Sequence, residues 1–548
     1  MTYLKDLFSS KKTPQSDAIP GTAQVPNSAG GYAWAVDDWT RLQRFLILGS
    51  EGGSYYATQR ALSLENAAAV LRCLQSDGPR AVRTIVEISE AGRAPKTDPA
   101  IFALALATTD TVSAETRRQA LAAMPRVCRT GTHLFHFAEY TNGLRGWGRG
   151  LRRAVAEWYA QPADKLALQA VKYQSRDGWS HRDLLRLAHP KAADPQSAHQ
   201  TLYHWMVKGW EWVGDEPHPD PALRLVWAFE RAKRAETKDE IVRLIREHRL
   251  PREAVPTQWL TEADVWKALL VDMPMTALLR NLATLTRVGV LDDWDTMRAI
   301  VQQLSDGSRL RKARVHPIAV LAALKTYAQG HGERGKNTWK PVQAVVDALD
   351  AAFYATFENV PSTSKRWLLA LDVSGSMDCG SVAGVPGLSP RVASAAMSML
   401  TAATEAEHRM VAFTCAGSGF GGQWGGGDPG LTELSISPKQ RLDDVCAKVR
   451  ALPMGGTDCA LPMVWALKKK LPVDVFVVYT DSETWAGKIH PVQALREYRD
   501  RMGIPAKLIV VGMVSNGFTI ADPNDAGMLD VVGFDTATPA VMSDFAVA

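Results

Sequence analysis

"RWLLALDVSGSMD", residues 366–378, decides the fold of the second half of this chain. Trp367 to Leu371 is apolar at every position, so both faces of such a strand need cover. The run then stops at Asp372, Ser374 and Ser376. Residues at i, i+2 and i+4 of an extended segment point the same way, so one carboxylate and two hydroxyls converge. Four more apolar runs follow: "RMVAFTC" (409–415), "VDVFVVYTDSE" (473–483), "AKLIVVGM" (506–513) and "MLDVVGFD" (528–535). Helical stretches lie between them at 391–407, 441–452, 461–470 and 491–502. Strand–helix alternation with continuously apolar strands predicts an α/β doubly wound parallel sheet covered on both faces. The Gly-rich stretch 416–430 reads as a surface loop.

Ligands of such sheets gather at the carboxyl ends of the strands. Two other stretches there complete a donor set with Asp372, Ser374 and Ser376. "MGGTD" supplies Thr457, and "VVYTDSE" supplies Asp481. Two carboxylates, three hydroxyls and no soft ligand suit a hard octahedral cation, Mg²⁺ first. Ser374 as a nucleophile would need a base, and His408 and His490, the histidines of this half, form no triad or nucleophile elbow with it. A catalytic pairing of Asp481 with Glu483 explains less than metal ligation does. No enzyme activity is therefore expected.

The first half reads differently. From about Trp34 to Phe357 the apolar spacing is helical throughout, with almost no alternation of period two. Asp98-Pro99 reads as a helix start, Thr237 to Glu240 has capping-box spacing, and Gly289 reads as a helix stop. Asp77-Gly78-Pro79 splits one helix pair. Helix pairs without a strict repeat length predict an irregular all-α HEAT-like array. Residues 1–30 read as a loosely held N-terminal arm, 31–360 as the helical domain and 361–548 as the α/β domain.

With 548 residues the chain exceeds one core, and 46% apolar with 22% charged residues excludes a disordered chain. No apolar run reaches membrane-spanning length, and the N-terminus lacks a secretory pattern. The six cysteines form no C-x-x-C, which fits reduced thiols in a cytoplasmic protein. "GHGERGKN" (330–337) imitates a phosphate loop. Asn337 replaces the required Ser or Thr and a helix precedes it, so nucleotide binding there is rejected; Arg334, Lys336 and Lys340 remain candidate phosphate contacts.

The net charge of +5 is mild, but cations concentrate between Leu144 and Lys191. Arg149, Arg153, Lys172, Arg176 and Arg186 are the main candidates, with Trp147, Trp158, Tyr159, Tyr173 and Trp179 interleaved. Lys172 and Arg176, four apart, would share a helix face. His189 before Pro190 reads as a helix-end residue or a phosphate contact. Such a face suits RNA, gripped by charge along the backbone and by stacking on unpaired bases.

Two resemblances sharpen these readings. The Asp372-x-Ser374-x-Ser376, Thr457 and Asp481 pieces resemble the metal-ion-dependent adhesion site of von Willebrand factor A-type domains. "GWGRGLRRAVAEWY", "YQSRDGWSHRDLLRLAHPK", "VWKALLVDMPMTALLRNLATLT" and "ARVHPIAVLAALKTYAQGHGERGK" resemble the TROVE module of the Ro autoantigen family. "GGTDCALPMVWA", "HPVQALREYRDRMGIPAKLIVVGM" and "NGFTIADPNDAGMLDVVGFDT" are similar to the same family's A-type domain. The resemblance implies a HEAT-repeat ring carrying an A-type domain. It implies small non-coding Y RNA on the outer ring surface, with Lys172, Arg176 and His189 as contacts. It further implies 3′ ends of misfolded RNA in the ring hole, and polynucleotide phosphorylase as a partner recruited through Y RNA. The competing expectation is a protein-binding adhesion module, whose metal meets an acidic protein ligand and whose helical half is scaffold.

Overall fold

The computed structural model describes residues 12–51, 53–192, 194, 196–210, 216–332, 336–357, 361–415, 430–437 and 439–548. The chain forms two compact units. One contains residues 1–69, 93–95 and 357–548, and the other 70–92 and 96–356.

The first unit is built on six strands: β1 (Trp367–Asp372), β2 (His408–Phe413), β3 (Leu431–Glu433), β4 (Val475–Thr480), β5 (Lys507–Gly512) and β6 (Met528–Val532). Their order across the sheet is β6-β5-β4-β1-β2-β3. All pairs are parallel except β2 with β3, so the expected parallel sheet ends in one antiparallel edge strand. Every residue of β1 and β4 is buried, as strands flanked by helices on both faces must be. Helices Pro390–Thr404, Leu442–Arg450, Leu461–Lys468 and Pro491–Met502 form where helical stretches were expected. The chain leaves β1 in one direction along the sheet and returns to β4 on the other side. The crevice between β1 and β4 is thus the topological switch point, where ligands of such sheets bind.

Among the described residues, 12–69 pack with this unit and not with the helical one. Residues 1–11 lie outside the described residues. Strand Tyr32–Ala35 pairs antiparallel with Phe518–Thr519. Helix Asp38–Leu48 carries Arg44, which is fully buried. Its Nη2 reaches both oxygens of Asp530 at 2.6 Å, and its Nη1 donates to the Phe518 carbonyl at 2.8 Å. A buried guanidinium needs such partners, and they exist only in the last fifth of the sequence.

The second unit is helical, as expected. Its first helix, within Gln59–Ala91, breaks at Asp77 (φ −149°, ψ 80°), immediately before Gly78-Pro79. The helix starts at Asp98 as expected, with Thr97 at the N-cap position making no side-chain cap bond. Thr237 caps its helix through the Glu240 amide, and Gly289 adopts φ 78° directly after Val288 closes the helix Met275–Arg287. The array also returns on itself. The Arg314 guanidinium donates to the Glu90 carbonyl, across 224 positions of sequence. Arg126 grips the Glu90 carboxylate through two nitrogens at 2.6 and 2.7 Å. Among the described residues no helix is long and apolar enough to cross a membrane.

Candidate nucleic-acid interface and metal centre

Helix Arg149–Tyr159 buries Leu151, Ala154, Val155, Trp158 and Tyr159, and turns Arg149, Arg152 and Arg153 outward. Arg149 and Arg153 are four apart and share that outer face. Helix His181–Ala188, packed against it, buries His181, Leu184 and Leu185 and exposes Arg182 and Arg186. Among the described residues no carboxylate pairs with Arg149, Arg153 or Arg186.

Lys172 and Arg176 do not share a helix face. Helix Ala163–Lys172 stops at Lys172, whose ammonium sits 5.4 Å from the Tyr173 ring centre. Arg176 lies on a hairpin of two-residue strands, Ser175–Arg176 paired with Trp179–Ser180. Asp177 (φ 53°) and Gly178 (φ 81°) make its turn. Asp-Gly is the pair that a two-residue hairpin turn favours, because both positions need positive φ. That signal was present in the sequence and was outweighed by helical spacing. The hairpin is held from below: Trp179 Nε1 donates to Glu139 at 2.8 Å, and His136 Nδ1 bonds Asp177. Arg176 is exposed, with Asp177 a loose 3.6 Å away. His189 closes its helix in the left-handed region (φ 48°) with an exposed side chain. Of the expected stacking aromatics, Trp158 and Tyr159 are core residues; Trp147 and Trp179 are half-buried with ring centres 5.6 Å apart. Arg334 lies outside the described residues.

The proposed metal ligands converge at the switch point. Asp372 ends β1, and its Oδ1 accepts from the Ser374 amide at 2.9 Å. Ser374 and Ser376 hydroxyls are 3.2 Å apart. The Gly375 amide donates to the Gly455 carbonyl at 3.1 Å, which draws the Thr457 loop against the first loop. Asp481 follows β4, and Ser376 bonds its carboxylate. All five residues are buried. Burial, then the neighbouring Asp481, pushes the Asp372 carboxyl up to about 7, and burial raises Asp481 as well. Among the described residues no Lys, Arg or His side chain bonds either carboxylate, and no cluster of three His, Cys, Asp or Glu could hold an ion. A cation here therefore depends on the serine and threonine hydroxyls, a donor set that fits Mg²⁺ and not Zn²⁺. Arg391, also buried, holds the first loop through the Val373 carbonyl at 2.7 Å and feels the Asp372 charge without bonding it.

Sequence reasoning missed several neighbours of this centre. Thr480 donates to Asp372 Oδ2 at 2.6 Å. Tyr56 lies against Ser376, in the field of Asp481, Glu483 and Asp372. Glu483 accepts from the Ser28 amide at 2.8 Å and from Asn516 at 3.3 Å. No local pattern announces the contacts of Tyr56 and Ser28, whose partners lie more than 300 positions away. The Gly-rich stretch 416–429 lies outside the described residues.

A long succession of helices followed by a sheet with this three-loop crevice is the arrangement of a TROVE-type protein carrying an A-type domain. Residues 25–365 match the TROVE domain and residues 366–546 the Ro60 vWA domain. The chain is 46% identical over 537 residues to "RNA-binding protein RO60" of Deinococcus radiodurans, covering 97% of each chain. It is 38% identical to the Caenorhabditis elegans protein of the same name, covering 98% of this chain and 92% of that one. The crystal structure of Deinococcus radiodurans RO (RSR) protein superposes with a TM-score of 0.69 at 45% identity, over 93% of this chain and 99% of that one. The chain belongs to the Ro60 family.

Proposed function

We propose that this protein is the RNA-binding component of a ribonucleoprotein. It holds small non-coding Y RNA on the basic face of the helical array. It takes single-stranded 3′ ends of misfolded RNA into the ring hole, and so serves RNA quality control in the cytoplasm without bond-breaking of its own. One observation carries the reading. Lys172, Arg176, Arg149, Arg153, Arg186 and His189 stand on consecutive elements of one unit; among the described residues Arg149, Arg153 and Arg186 have no carboxylate partner, and Arg176 has only Asp177 at 3.6 Å. Full-length relatives named for RNA binding support it. Polynucleotide phosphorylase is the partner that Y RNA would bring.

Asp372, Ser374, Ser376, Thr457 and Asp481 would hold Mg²⁺. When bound, the ion supplies positive charge that an acidic protein ligand can meet. Crosslinking in cells, followed by sequencing of the bound RNA, tests the main reading; a protein recovered free of transcripts defeats it. The adhesion-module alternative predicts that Asp372→Ala abolishes capture of a protein partner. On the RNA reading the same variant leaves RNA affinity unchanged. Labelled RNA incubated with pure protein and Mg²⁺ should stay intact; turnover lost in Asp481→Ala would establish a nuclease instead.

A further inference from the structure

Gln15 precedes both family-matched regions, yet its side chain is fully buried. Its Nε2 donates to Asp458 Oδ1 and to the Ile489 carbonyl, each at 2.8 Å. Its Oε1 accepts from the Thr484 hydroxyl and from the Gly487 amide, the latter at 3.4 Å. Main-chain bonds hold it in place: its amide donates to the Gly487 carbonyl and its carbonyl accepts from Tyr32, both at 2.9 Å. Every hydrogen-bonding position of the amide is thus used.

The partners are what matter. Asp458 directly follows Thr457, and Thr484 lies three residues beyond Asp481. One neutral side chain therefore spans the second and third loops of the metal centre. Gly487 is shaped around it, since a Cβ there would sit 2.2 Å from Gln15 Nε2. The same segment makes two more ties to the third loop. Asn27 Nδ2 donates to the Thr484 carbonyl at 2.7 Å, and the Ser28 amide to Glu483 at 2.8 Å. Asp458 and Thr484 flank the proposed ligands Thr457 and Asp481, so a tie between these two loops must add no charge that would compete with the cation. An amide with two donors and an acceptor meets that need.

We propose that Gln15 is a positioning residue of the metal centre, setting the spacing of the Thr457 and Asp481 loops and through it the affinity for a divalent cation. The inference rests on the metal-site reading above. Because linkage is reciprocal, cation binding in turn tightens the docking of residues 13–32.

Mn²⁺ titration of the full chain, followed by electron paramagnetic resonance, tests this. Partners that orient metal ligands typically contribute 10–100-fold in affinity. Gln15→Leu, close in volume but unable to bond, should weaken Mn²⁺ binding at least ~10-fold at temperatures where the protein remains folded. Glu405→Gln is the control. That buried carboxylate ties Ser362 and Thr363 at the opposite ends of the strands, so its loss should lower stability and leave Mn²⁺ affinity unchanged. Hydrogen exchange on the unaltered protein needs no variant: Mn²⁺ should slow exchange across residues 13–32. Equal Mn²⁺ affinity in Gln15→Leu, or exchange indifferent to Mn²⁺, overturns the proposal. An unaltered protein that takes up no Mn²⁺ overturns the metal-site reading and this inference with it.

Discussion

Lys172 and Arg176 reach the surface from different elements, one at a helix end and one on a hairpin. Their contributions to RNA binding should therefore be close to additive. Replacing both by Ala should cost about 1–3 kcal/mol per charge-assisted contact and flatten the salt dependence of binding; filter binding at several ionic strengths measures both. Beneath them His181 is fully enclosed, its Nδ1 2.8 Å from the Tyr159 hydroxyl. Burial pushes its imidazole down to about 4. Below about pH 6.5 an unfolded chain takes up a proton that the folded one refuses, so stability falls as pH drops from there toward 4. The loss from this residue approaches about 3 kcal/mol, and His133, also lowered to about 4 by burial, adds a second slope in the same window. Denaturant titrations at pH 7, 6 and 5 should show it, with a shallower slope in His181→Gln. At this scale the convergence of Asp372, Ser374 and Ser376 was legible because alternate positions at a strand end are a local pattern. Gln15 and Tyr56 were not, because their partners lie more than 300 positions away.

Elements succeed or fail in sequence reading for a similar reason. β1, β4 and β5 announce themselves, since two covered faces demand unbroken apolar runs. β3 has three residues and follows a Gly-rich stretch, so nothing local marked it as an antiparallel edge. The hairpin Ser175–Ser180 was lost to the helix before it, although Asp177-Gly178 carried the turn. Gly178 offers a clean test. A Cβ there meets nothing within 4 Å, so the penalty for a side chain is purely one of backbone. Gly178→Val should cost about 1–2 kcal/mol locally. The hairpin should fray and RNA affinity fall, while the melting temperature of the surrounding helices holds.

On the scale of the whole molecule, the helical array followed by a sheet was readable from the change of period near Pro361. The allocation of the first seventy residues was not. Helix Asp38–Leu48 has the same spacing as the helices of the array, and only tertiary pairing assigns it to the sheet. Breaking a buried ion pair from one side costs about 3–5 kcal/mol, so Arg44→Met, which leaves Asp530 without its guanidinium, should destabilise the sheet unit by that order. Calorimetry should find its transition lowered. A fragment of residues 361–548 lacks Arg44, Gln15 and strand Tyr32–Ala35 altogether. It should expose apolar surface, bind a hydrophobic dye and refold only when residues 12–69 are supplied in trans.

The bond between Thr13 and Gln493 joins positions 480 apart. A ribosome adding ~5–20 residues each second needs about 25–100 s to make the second partner after the first. Throughout that interval strand Tyr32–Ala35 lacks its partner Phe518–Thr519, and Arg44 lacks Asp530. Residues 13–44 are thus among the last to settle, and they wait with one strand edge open that a chaperone, or a neighbouring polysome's product, could seize.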